Sequence, residues 1–92
     1  MISPGAHSLI SRSDVLWRRV LDGVLVRVIG APDNTLIEGT GVIMWELLET
    51  PMRFDELCER LAEAHGVEPS TVVSDLGPVV AELGSRGVVS FD

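Results

Sequence analysis

The apolar run of residues 15–21, VLWRRVL, broken only by Arg18 and Arg19, reads as a strand in which Val15, Trp17 and Leu21 can share one face. Asp22-Gly23 follows at once, and then the apolar run VLVRVI over residues 24–29. Two β-rich runs on either side of Asp-Gly predict a hairpin, because both turn residues tolerate a positive φ. Residues 30–34, GAPDN, form a turn cluster, and Thr35-Leu36-Ile37-Glu38 predicts a short third strand.

After Gly39-Thr40-Gly41 the period lengthens from two to 3.6. Thr40 is placed as N-cap of a helix over residues 41–49, which Thr50-Pro51 stops. A second helix starts near Phe54 and sets Phe54, Leu57, Cys58 and Leu61 on one face, with Asp55 and Glu56 in the first turn. It ends at Gly66. The third helix opens at Glu68-Pro69-Ser70-Thr71 with Ser70 as N-cap and runs to Arg86, where Gly87 ends it. Pro78 inside it predicts a bend, since its ring nitrogen cannot donate to the carbonyl four residues back. Residues 88–91 predict a short closing strand. Residues 1–13 carry no periodicity and are expected as a flexible N-terminal arm, leaving 14–92 as the folded domain. The fold class is α+β: a three-stranded antiparallel sheet followed by three helices.

Ninety-two residues make one domain, and folding at that size buries roughly 60–65% of the unfolded chain's surface. That supports one modest core and not a deep catalytic cavity. A hydrophobic fraction of 46% with 23% charged residues argues against disorder. No apolar run approaches the roughly 18–20 residues of a membrane span, and residues 1–12 lack a signal peptide's apolar stretch. A cytoplasmic protein is expected. Seven Lys+Arg against fourteen Asp+Glu leave a net charge of −7, poor material for gripping phosphates or an anionic membrane surface. The expected partner is a protein, a peptide or a small molecule, with no nucleic acid and no membrane.

Candidate chemistry is sparse. Cys58 is the single cysteine, so no internal disulfide forms, and with His7 and His65 it cannot complete a zinc site. On the second helix, Cys58 and His65 stand about two turns, ~10 Å, apart, too far for one to activate the other. Gly39-Thr40-Gly41 lacks the third glycine of a dinucleotide fingerprint, its place being held by Met44. Asp55, Glu56, Glu59 and Glu63 read as a solvated helix face. No catalytic residue, metal or cofactor is expected.

The third helix says more. On a helical wheel Val72, Leu76, Val79, Val80 and Leu83 with Val73, Gly77 and Gly84 span a charge-free arc of about 160°, wider than the ~100° stripe of a one-sided helix. Either the helix is sandwiched between core elements, or one margin packs the core while the other lines a groove. The third strand is a sheet edge with no lysine or proline blocking it. An open edge beside a surplus apolar helix face suits a peptide that adds a strand.

IMWELL over residues 43–48, Pro51, FDEL over 54–57 with Leu61, VVSDL over 72–76, then Leu83, Gly87 and Val88-Val89 resemble the PqqD-like family. The likeness runs over roughly residues 15–91. It departs from the family at Arg53, where many members place a capping Thr or Ser, and at Gly77-Pro78. The resemblance implies a winged helix-turn-helix domain without catalysis of its own. It implies that the leader of a ribosomally made precursor peptide binds as an added strand along Thr35, Leu36, Ile37 and Glu38, against Val72, Asp75, Leu76, Val79 and Leu83 of the last helix. The partner it implies is a transglutaminase-like leader peptidase, as in lasso-peptide clusters, or another maturation enzyme such as a radical-SAM protein.

A winged-helix transcription regulator shares this order of elements. Such a protein needs Arg, Lys, Asn or Gln on its recognition helix. The second helix carries Arg60 alone and the third Arg86 alone, beside Glu56, Glu59 and Glu63.

Overall fold

The two β-rich runs form a hairpin, with its two-residue turn at Leu21-Asp22. In a computed structural model, which describes residues 2–92, β2 (Val15–Val20) pairs antiparallel with β3 (Gly23–Val28), and β3 with β4 (Asn34–Ile37). Ahead of this sheet lies β1 (Leu9–Arg12). After it come α1 (Thr40–Leu47), β5 (Met52–Arg53), α2 (Phe54–His65), α3 (Pro69–Ser85) and β6 (Val89–Ser90). The expected α+β order of a three-stranded sheet and then three helices is present, in a winged-helix-like arrangement.

The inner face of the sheet presents Val24, Val26 and Ile37 to Met44 and Trp45 of α1, Leu57 and Leu61 of α2, and Leu76 and Val80 of α3. All are buried and belong to one continuous apolar core. The second helix follows its sequence pattern closely. Phe54, Leu57, Cys58 and Leu61 are all buried, and Gly66 closes the helix in the left-handed conformation. Arg53 stands at its N-cap with no side-chain hydrogen bond.

The flexible arm expected over residues 1–13 is corrected by β1. This strand is the centre of a second sheet, pairing with β5 on one side and β6 on the other. Ile10 is fully buried. The amides of Phe54 and Asp55 donate to the carbonyls of Ser8 and Ala6, and the Arg12 guanidinium donates to the Trp45 carbonyl. That guanidinium also stacks over Trp17 and Trp45, 4.9 and 4.6 Å from the ring centroids. The strand has no local signal because each of its partners is distant in sequence.

Local details also differ from expectation. Leu21 lies in the hairpin turn and is 99% exposed, so it shares no core face with Val15 and Trp17. Neither Asp22 nor Gly23 adopts a positive φ. Gly23 answers a different need: a Cβ there would collide with the Ile37 carbonyl, so glycine lets β4 lie close on β3. Gly39, at φ 59°, occupies the N-cap of α1, with Thr40 as the first helical residue and no side-chain cap. Glu68 holds that position in α3, followed by Pro69 at N1, where its missing N–H costs nothing. Ser70 is therefore already helical.

Candidate functional site

A groove of about 490 Å³ separates β4 from α3. Its backbone wall follows from the sheet register. The two-residue turn closes on the pair Val20–Gly23, which must be hydrogen-bonded. Alternation then points the N–H and C=O of Val24 and Val26 toward β4, opposite Ile37 and Thr35. The backbone groups of Asn34 and Leu36 consequently face outward, along an edge that no other strand among the described residues covers.

The helical wall is made by one margin of α3. Thr71, Asp75 and Val79 recur at i, i+4 and i+8 along the rim. Val72, Leu76 and Leu83 form the floor, buried against the core, whereas Val79 is 41% exposed. Val73 lies on the far margin, 45% exposed and outside the groove. The wide apolar arc thus divides between floor, rim and a solvent-facing margin.

Of the residues singled out in the sequence, Leu36, Ile37, Glu38, Val72, Asp75, Leu76, Val79 and Leu83 meet in this groove. Thr35 does not line it. Its backbone is engaged with Val26, and its side chain shares the inner sheet face with that residue. Thr40 and Gly41 close one end, and His65 and Val67 contribute from the turn between α2 and α3. Sequence reasoning missed these four, along with Thr71. Thr71 was recoverable from the wheel, four residues before Asp75 on the same margin. Val67 was not: it is placed by the left-handed turn at Gly66, where its amide donates to the Ala62 carbonyl.

The groove is apolar at its floor and acidic at its margins. Among the described residues that line it, Glu38 and Asp75 are the carboxylates, and none is an arginine. Elsewhere, three of the seven arginines are held in ion pairs. Arg19 pairs with Glu46 at 2.6 Å, Arg60 with Glu56 at 3.2 Å and Arg86 with Glu82 at 3.0 Å.

Cys58 lies on the buried face of α2, and burial, reinforced by the charge of Asp55, pushes its thiol up to about 11. At neutral pH it is protonated and a poor nucleophile. Among the described residues, no three His, Cys, Asp or Glu side chains gather as a metal site. No helix among them is long and apolar enough to cross a membrane.

The sequence profile of the family described as coenzyme PQQ synthesis protein D (PqqD) matches residues 31–89, well over half of the chain. The matched span runs from the turn before β4 to β6, and so contains both groove walls. No curated protein and no solved structure matches the chain.

Proposed function

We propose, from the premise that this chain belongs to the PqqD family, that it binds the leader segment of a ribosomal precursor peptide in the groove between β4 and α3. Proteins of this family are non-catalytic accessory proteins that bind precursor peptides. The observation that carries the reading is the open edge of β4 facing the half-exposed Val79 rim across an apolar floor. An extended peptide laid there completes the ladder with backbone bonds and inserts alternate side chains beside Leu76 and Leu83.

Magnitudes assign the division of labour. Asn34 and Leu36 offer up to four backbone hydrogen bonds, together worth roughly 2–6 kcal/mol net. Micromolar affinity needs about 8 kcal/mol, after the cost of ordering the peptide. The apolar floor must therefore supply a large share, and with it the selectivity.

In this reading the chain works in the cytoplasm and catalyses nothing itself. It holds the leader and delivers the attached core peptide to a maturation enzyme. A transglutaminase-like leader peptidase of a lasso-peptide system is the partner we favour. The DNA-binding alternative finds no support in the helices, since Arg60 and Arg86 are tied to Glu56 and Glu82. Titration with the leader peptide encoded beside this chain, followed by amide NMR shifts, tests the proposal. Shifts centred on β4 and the Thr71–Val79 rim are expected. Binding with shifts confined to other surfaces removes the site, and absence of binding removes the function.

A further inference from the structure

The outward face of the β2–β3–β4 sheet mixes exposed leucines with polar side chains. Cross-strand pairing lays Leu16 beside Arg27 and Asn34 in one row, and Arg18 beside Leu25 and Leu36 in the next. Leu16 is 65% exposed and Leu36 46% exposed, where a solvated sheet face normally carries polar side chains. These six residues include no carboxylate, in a chain of net charge −7. Among the described residues Arg18 and Arg27, like Arg12 and Arg53, form no ion pair, whereas Arg19, Arg60 and Arg86 do. A shallow concavity of about 280 Å³ lies between the two arginines and Leu16 and Leu25.

We infer that this face docks the maturation enzyme, through an enzyme surface that sets carboxylates around apolar side chains. Unpaired guanidinium groups framing exposed leucines match such a surface in charge and in hydropathy. A second copy of this chain fits poorly, since face-to-face pairing opposes arginine to arginine. One further consequence rests on the strand-addition reading. A leader paired with β4 extends the same sheet by one strand, and its outward side chains continue the face past Leu36. The enzyme then meets a larger surface when the domain is loaded, so leader and enzyme each tighten the other's binding by an equal factor.

The test titrates the purified maturation enzyme encoded beside this chain into the parent and into Arg18→Glu/Arg27→Glu, first without peptide. Loss of about tenfold or more in affinity, with a flatter salt dependence, is expected for the variant. Its melting temperature and leader affinity stay at the parent's values, since both side chains are exposed. If reversal disturbs folding, Arg18→Gln/Arg27→Gln replaces it and shows a smaller loss of enzyme affinity. Equal enzyme affinity in parent and folded variant overturns the inference. So does a dimer of the parent that Leu16→Ser dissolves, or duplex DNA bound through the same two arginines. A parent that ignores the leader yet binds the enzyme through Arg18 and Arg27 keeps the docking face and sinks only the strand-addition reading.

Discussion

Ile37 sits opposite Val24 in the β3–β4 ladder, and this pairing turns the backbone of its neighbour Leu36 toward the open edge. Two adjacent residues thus have opposite duties, one holding the sheet together and one offering unpaired donor and acceptor groups.

Proline separates those duties. Ile37→Pro removes an N–H that β3 uses and disturbs a buried side chain, so the domain unfolds or loses several kcal/mol, about 3 or more. Leu36→Pro removes an outward N–H and leaves the fold largely intact, while leader affinity falls. Thermal melts and calorimetric titration on the two variants check this. A folded Leu36→Pro that binds as tightly as the parent places the peptide elsewhere.

Val79 and Val72 make the second pair. Val79 is 41% exposed on the groove rim and Val72 is 6% exposed in its floor. Val79→Asp should weaken leader binding at a small cost in melting temperature, since its charge stays in water and only the nearby Asp75 repels it. Val72→Asp buries an unpaired carboxylate and should lower stability by about 3–5 kcal/mol. Denaturant unfolding beside peptide titration distinguishes them.

Deleting residues 2–12 tests the role of β1. Loss of Ile10 alone corresponds to roughly 2–5 kcal/mol by analogy with large-to-small core changes. The lost pairing to β5 and β6 and the Arg12 stack on Trp45 add to it. The truncated chain should give broad, weakly cooperative melting. Retention of the parent's melting temperature would contradict the second sheet.

Cys58 supplies a pH prediction. Its folded thiol is raised to about 11 by burial, with Asp55 adding to the effect. The fold therefore favours the neutral thiol. That stability is fully present below the unfolded value near 8.5–9, and is lost as pH climbs toward 11. Melting temperature should fall over that window in the parent and less so in Cys58→Ala. Alkylation by iodoacetamide at pH 8 should be slow until denaturant is added.

Gly23→Ala completes the set. The added Cβ meets the Ile37 carbonyl, a backbone atom that cannot swing aside. Displacing β4 should cost about 1–3 kcal/mol and weaken leader binding, because β4 is a groove wall. Amide shifts of residues 34–38 together with a thermal melt report both effects.

Much of this architecture was legible along the chain because it depends on local periodicity. The β-rich runs on either side of Asp22-Gly23 placed β2 and β3, the Phe54, Leu57, Cys58, Leu61 spacing placed the buried face of α2, and Gly66 marked its end. The edge position of β4 followed from a three-strand meander. Charge told against nucleic acid before any coordinates. Tertiary structure decided the rest, for reasons no local window contains. Ile10 is buried because β5 and β6, far away in sequence, close on both sides of β1. Gly23 is required by the Ile37 carbonyl rather than by its own turn. The wide apolar arc of α3 was visible, but only packing against the sheet and α2 buried Leu76 and Val80 while leaving Val79 to the groove and Val73 to solvent. A side chain's duty there depends on what lies across from it, and spacing along one helix cannot specify that.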